Sequence, residues 1–491
     1  MSFYSKRPRG AASVQVFRDS MMQCDTLPLS DVIQGELFEE AFDRFDVDFG
    51  ADDDAVYTPA LVLWALVSQA LFTKTQRSLT AAVTRIASWW ACQGRVVGDT
   101  STGAYSRARH KLPVGSIAWL TQTIAQRCEC SEDLVDAIDE DMAEETLTPD
   151  VVGRVRKKSI AGRVILVDGF TVDAADTPAN QQEYPQNPSQ KEGLGFPMLR
   201  CVSLISMATG LLIDLAIGPY AGKQSGETAL LRQLFPNLHR GDIIVADSFY
   251  CSYWLLAYCQ INGIEVAMKN HHKREDCPVA AKKISKHQRT TTWLRPTRPS
   301  WMSEEDYDSI PDQLEVRLVD VKVNRPGFRT EGFTVATTML DHKSCPAEWI
   351  ASLYRSRWIV ELDIESIKCS LEMEHLRAKT PEMVRRELWS CLLAYNLIRM
   401  KMLQSGAASN RDVRSMSFTR CMTLLATNWL LCGARGTNEA LVELGQSQPL
   451  DEVIGHRPDL VEPRVNKRRP KVLKLMSKPR SEYDRQLANA A

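Results

Sequence analysis

Apolar residues recur every three to four positions through VYTPALVLWALVSQALF (56–72) and LTAAVTRIASWWA (79–91), which predicts two helices early in the chain. From residue 163 the period shortens. RVILVDGFTVD (163–173) is a β-branched run closing on acidic residues and a glycine, and MLRCVSLISMATGLLIDLAIGPY (198–220) reads as two strands joined by a tight Thr-Gly turn. SGETALLRQLF (225–235) has helical spacing, GDIIVADSFY (241–250) predicts a strand, SYWLLAYCQING (252–263) a helix closed by glycine, and EVAMKN (265–270) another strand. An opening hairpin followed by alternating strands and helices predicts a mixed α/β sheet. Residues 271–345 break that rhythm with Pro, Thr and Arg and with alternating stretches such as QLEVRLVDVKV (313–323) and EGFTVATTM (331–339), the pattern of a β-rich insertion. Helical spacing returns from 346 to about 403 and continues toward a basic, proline-bearing tail. The expected layout is a helical N-terminal region (1–150), a core split between 160–270 and 346–403, the insertion (271–345), and a helical C-terminal region (404–491).

At 491 residues the chain is long for one domain, and 44% hydrophobic with 25% charged residues is a globular composition. No run of about 18 apolar residues predicts a membrane span, and the N-terminus lacks the apolar core of a signal peptide. The 13 cysteines have no metal-site or disulfide spacing, which fits a reducing, cytoplasmic setting. Near-neutral net charge hides local excess. Nine Lys/Arg against Glu275 and Asp276 occupy 269–300, and nine against Asp459 and Glu462 occupy 457–480. RVRKKSIAGR (154–163) adds five more; such runs are either solvated faces or phosphate contacts. The acidic run SEDLVDAIDEDMAEETLTPD (131–150) reads as a solvated helix entering a linker.

The candidate chemistry begins at Asp168, which closes an apolar run and is followed by Gly169, where backbone can come close to a ligand. Asp247 ends a second such run, and two strand-end carboxylates in one sheet can converge on a hard cation; taken singly, each is equally well a cap or turn residue. In YRSRWIVELDIESIK (354–368), Tyr354, Arg357, Glu361 and Lys368 fall on one face of a helix, presenting a hydroxyl, two cations and one carboxylate. Glu361 would complete a metal site while Arg357 and Lys368 neutralise phosphate; the rival reading is a solvated helix with i,i+4 ion pairs. Asp363 is turned about 160° from Glu361 by helix geometry, whereas Glu365, one turn on, stays a rival ligand. Trp358 is placed either to stack on a displaced base or to pack in the core, as are Trp293 and Trp301. Arg107, Arg109 and Lys111 sit on a short helix following another helix, a candidate for reading DNA ends.

These residues resemble the bacterial insertion-sequence transposases of family four, whose marker is Tyr, two residues, Arg, three residues, Glu, six residues, Lys. Residues 354–368 match every marked position, and Asp168 and Asp247 follow strands as that family's two aspartates do. Glu361 lies 114 positions after Asp247, with the β-rich insertion between them, and LLAYNLIR (392–399) is similar to the helix that follows the motif. The likeness covers roughly 160–400 and extends weakly to AYSRARHKL (104–112); Ser248-Phe249-Tyr250 departs from the usual continuation. The resemblance implies an RNase H-like core, catalytic and metal-holding roles for Asp168, Asp247 and Glu361, and Mg²⁺ as cofactor with Mn²⁺ able to substitute. It also implies double-stranded DNA partners (terminal repeats and target) and a homodimer in a synaptic complex, associated with the nucleoid when DNA-bound. Two divalent cations roughly 3.5–4 Å apart would activate the attacking oxygen, neutralise charge and fix in-line geometry. The competing readings are an RNase H-like endonuclease or resolvase that cuts without joining, and a non-catalytic DNA-binding relic.

Overall fold

The computed structural model describes residues 35–50, 55–92, 96–97, 100–129, 162–271, 281–322, 332–409, 411–435 and 477–490. The acidic run, nearly all of RVRKKSIAGR, residues 272–280 of the first basic stretch and most of the tail lie outside them. The N-terminal helices are α1 (Gly35–Arg44), α2 (Pro59–Leu71), α3 (Leu79–Cys92), α4 (Thr102–Lys111) and α5 (Val114–Glu129). Thr58 caps α2 by accepting a hydrogen bond from the Leu61 amide, and Pro59 occupies the first turn, where a missing N–H costs nothing. Almost every residue of α2 is buried, as expected of a helix apolar on all sides.

Among the described residues the core is one nine-stranded sheet. Its strands are β1 (Val164–Asp173), β2 (Met198–Ser206), β3 (Leu212–Pro219), β4 (Ile243–Ala246), β5 (Glu265–Lys269), β6 (Lys282–Ser285), β7 (Gln288–Leu294), β8 (Gln313–Lys322) and β9 (Gly332–Thr337). They run in the order β3-β2-β1-β4-β5-β9-β8-β7-β6. β1, β2 and β3 are antiparallel neighbours, and β1, β4 and β5 are parallel. β4 is buried throughout, the pattern of a central parallel strand covered on both faces. The four strands of the 271–345 stretch do not fold aside: β9 pairs with the outer edge of β5, so they prolong the same sheet. Gly210 closes the β2–β3 turn at φ 76°, and a Cβ there would lie 2.9 Å from the Arg414 guanidinium and 3.0 Å from that of Arg399.

Residue alternation divides the core. Ile165 and Val167 pack on one face with α6 (Glu227–Gln233) and α7 (Tyr253–Ile261); Leu166, Phe170 and Val172 face the other, helix-rich side. The centre of that side is α8 (Pro381–Ser409), which packs on α2 and α5. Asn396 of α8 accepts from the Leu212 amide at 2.8 Å and donates to the Leu212 and Thr121 carbonyls, pinning the helix to β3 and α5. Beyond it lies α9 (Phe418–Arg435). Among the described residues no helix is long and apolar enough to cross a membrane.

The expected helix over 354–368 is wound unevenly: it is α-helical at Ala347–Arg355, tightens to a 3₁₀ turn at Ser356–Trp358, and continues as α10 (Ile359–Glu365) into a π turn at Ser366–Ser370. The Ser356 hydroxyl donates to the Ser352 carbonyl, a back-bond that bends helices.

Candidate active site

Parallel pairing sets the first two carboxylates side by side. Leu166 of β1 is in register with Val245 of β4, so two residues on, Asp168 and Asp247 stand abreast where β4 stops. β1 runs on past that point while β4 does not, leaving an open strand edge where a ligand can enter. Asp168 accepts a hydrogen bond from its neighbour Gly169 at 2.8 Å, and Asp247 accepts from the Phe249 amide at 2.8 Å in a tight turn. Burial raises the Asp168 carboxyl to about 6; the Gly169 amide and the Arg357 guanidinium pull it down, and the charges of Asp247 and Glu227 push it up.

Glu361, in the first turn of α10, is the exposed member of the set, with 59% of its side chain accessible. Arg357 bridges the site. Its Nη2 donates to Glu361 Oε1 at 2.6 Å, and its Nη1 lies 3.6 Å from Asp168 Oδ2. Tyr354 is buried against Phe333, hydrogen-bonds Arg357, and has its hydroxyl pushed up to about 12 by burial. Among the described residues no three acidic, His or Cys side chains already converge in the pattern of a metal site. The cation between Asp168 and Glu361 holds their oxygens in a salt-bridged arrangement instead.

The marker residues therefore divide. Arg357 joins Tyr354 and Glu361 to the Asp168 edge, whereas Lys368 lies in the π turn, where its charge acts on Asp173 and Cys201. The expectation of one common face fails for Lys368 because the helix changes its winding before reaching it. Asp363 is 1% exposed and bound by Arg399 at 2.5 Å and by Arg414 at 2.8 Å to both oxygens, so it is committed elsewhere; Glu365 is exposed.

Two residues at the crevice escaped the sequence reading. Glu227, at the start of α6, presses against Gly169: a Cβ on that glycine would fall 2.4 Å from the Glu227 carboxyl carbon. The fully buried Tyr250 donates its hydroxyl to Glu227 Oε2 at 3.0 Å. The only sequence hint was the glycine after Asp168.

Residues 160–397 match the family model described as transposase DDE domain. Over 247 residues the chain is 25% identical to "Transposase InsG for insertion sequence element IS4" of Escherichia coli (strain K12), covering 49% of this chain and 52% of that protein. Over this region the chain is similar to DDE transposases of insertion sequences, including that of IS4. It spans about half the length of that curated relative. A shorter match, 37% identical over 67 residues, covers 14% of this chain and 18% of "Transposase for insertion sequence element IS421" of Escherichia coli. A solved structure titled as a piggyBac transposase synaptic complex with hairpin DNA aligns over 91% of this chain and 86% of its own, at TM-score 0.38 and 10% identity.

The remaining candidates sit apart from the crevice or at its rim. Trp358 follows Arg357 and is 54% exposed, Trp301 is 37% exposed under the Arg232 guanidinium at 3.8 Å, and Trp293 is buried in the core. On α4, Arg107 is exposed, Arg109 lines a cavity of about 460 Å³ with Arg77, Arg377 and Lys379, and Lys111 lies over the Phe49 ring. The three cations therefore point to different surroundings.

Proposed function

We propose that the chain cuts DNA at the ends of an insertion sequence and joins those ends to a target, by a two-metal phosphodiester mechanism on an RNase H-like core. The observation that carries this reading is the pair Asp168 and Asp247 abreast at one open strand edge, with Arg357 linking Glu361 to that edge. The strand order β3-β2-β1-β4-β5, antiparallel then parallel, supports the RNase H-like description.

The donor set fits hard divalent cations: all three candidates are carboxylates, and Asp168 and Asp247 are fixed by short backbone hydrogen bonds. Asp168, Asp247 and Glu361 would hold Mg²⁺, or Mn²⁺ in its place. When bound, the cations supply charge neutralisation and an activated attacking oxygen. The protein's own part is positioning. Arg357 offers a planar, permanently charged fork that suits phosphate as well as carboxylate, so an arriving phosphate competes with Glu361 for it and frees the Glu361 oxygens. Tyr354 keeps that fork oriented from below. Exposed Trp358 is placed to stack on a displaced base, while Lys368, Arg107, Arg109 and Lys111 are assigned to phosphate contacts outside the crevice. The partners proposed are double-stranded terminal repeats and target DNA, engaged by a homodimer that synapses two ends.

The test is strand cleavage and transfer on DNA carrying the element's ends, with Mg²⁺ or Mn²⁺, comparing wild type with Glu361→Gln. Metal-dependent joined products that vanish in the variant while DNA binding persists support the reading. Cutting without joining replaces it with an endonuclease, and equal activity in the variant moves the third carboxylate to Glu365.

A further inference from the structure

We infer that Glu227 is a fourth carboxylate of the cation site, reaching the Asp168–Asp247 edge from the opposite face of the sheet through the gap left by Gly169. The inference rests on the metal-dependent transposase reading and adds a residue to it.

The argument starts from strand alternation. Asp168 points to the helix-rich face with Leu166 and Phe170, so position 169 points to the other face, toward α6. Any side chain there would wall off α6 from the carboxylate edge. Glycine leaves an opening, and the Glu227 side chain fills it. An added Cβ would meet the carboxyl carbon at 2.4 Å and Oε2 at 2.7 Å, so an alanine there would push the carboxylate out of the opening. Gly169 has no positive φ that would otherwise require glycine, so close approach is what the residue serves.

Tyr250 supplies the second part. It is fully buried, three residues after Asp247, and its hydroxyl donates to Glu227 Oε2 at 3.0 Å. One oxygen of Glu227 is thereby fixed by the turn that carries Asp247. An acidic residue in the first turn of a helix also favours that helix. That role would be met by any solvent-facing rotamer, and needs neither the missing Cβ beneath it nor a buried tyrosine donor.

The experiment measures binding of Mn²⁺ alone to the full chain, by the electron paramagnetic resonance signal of free Mn²⁺, for wild type, Glu227→Gln, Tyr250→Phe, Gly169→Ala and Asp168→Asn. Thermal melts without metal report folding. The expected result is a loss of about tenfold to a hundredfold in Mn²⁺ affinity for Glu227→Gln, the range seen when groups supporting a metal site are removed. Tyr250→Phe and Gly169→Ala should weaken binding in the same direction and keep the inference testable if Glu227→Gln fails to fold. Unchanged Mn²⁺ affinity in folded Glu227→Gln, or in both of the other two, alongside lost binding in Asp168→Asn, overturns the role of Glu227 alone. Unchanged binding in Asp168→Asn as well overturns the cation site itself and this inference with it.

Discussion

Glu361 and Asp363 sit two residues apart on α10 and meet opposite fates. Glu361 faces the crevice, is mostly exposed, and among the described residues pairs with Arg357 at 2.6 Å. Asp363 faces inward, is 1% exposed, and is held by Arg399 and Arg414. Those arginines are committed in turn: Arg414 donates to the Ser206 and Met207 carbonyls of the β2–β3 turn, and Arg399 lies against the Tyr395 and Phe418 rings. One helix thus presents a carboxylate that holds the fold and another left available for chemistry. A buried charge is tolerable only when its partners are complete, whereas a ligand carboxylate must keep oxygens free.

The sharpest separation comes from Glu361→Gln. In the proposed role of Glu361 as a metal ligand, its removal forfeits several kcal/mol of transition-state stabilisation, so strand cleavage should fall by about 10⁴-fold, roughly 5 kcal/mol at 1.36 kcal/mol per decade. Stability should be unchanged within about 0.5 kcal/mol, because the side chain is exposed and its pair with Arg357 is a helix-surface one. A denaturant melt beside the cleavage assay checks both; a large loss of stability would erase the contrast with Asp363.

Asp363→Asn should do the reverse. It leaves two buried guanidinium groups around a neutral amide, a change that costs about 3–5 kcal/mol. Expected are a lowered denaturation midpoint and poor recovery of folded protein, with any folded fraction keeping its Mn²⁺ affinity. A variant as stable as wild type would mean that water replaces the lost charge and that the ion triad is not a structural anchor.

How much of this contrast the sequence carries depends on distance along the chain. Helix geometry alone turns Asp363 away from Glu361, and the Tyr-Arg-Glu-Lys spacing singles out Glu361. The partners of Asp363 were not readable, because Arg399 and Arg414 lie on other elements and no local pattern announces a buried triad. β1, β4 and α2 were readable from continuous apolar runs with turn or cap residues at their ends. The pairing of β9 with β5 was not, since period-2 alternation fixes which face of a strand is buried but not its neighbour. The tightening at Ser356–Trp358 carries no Pro or Gly, and Glu227 looks like any acidic helix start.

Asp168 tests the same principle through pH. Its folded carboxyl is raised to about 6 chiefly by burial, while in the unfolded chain it ionises near 4. The folded state therefore keeps a proton that the unfolded state has lost between those values. Stability falls as pH rises through that window, and above about 6 the full cost of about 3 kcal/mol applies. Asp168→Asn, which cannot ionise, should stabilise the metal-free protein by up to that amount at pH 8 and by almost nothing at pH 3.5. Denaturant melts in chelator at the two pH values check this; a gain independent of pH would assign the effect to packing rather than charge.

Glu365→Gln is the smallest expected effect and the one that isolates Glu361. Glu365 lies one turn beyond Glu361 on α10, is exposed, and precedes the point where the helix winds into the π turn. Its distance from Arg357 is the relevant physical point: the guanidinium that ties the helix to Asp168 reaches Glu361 at i,i+4, whereas Glu365 stands eight residues away. Cleavage should stay within about twofold of wild type and stability within about 0.5 kcal/mol, the ordinary range for a surface substitution. If Glu365→Gln instead abolished cleavage while Glu361→Gln did not, the Arg357–Glu361 pair would be a surface ion pair only. The third carboxylate would then belong one turn further along the helix, and the contrast with Asp363 would have to be redrawn around Glu365.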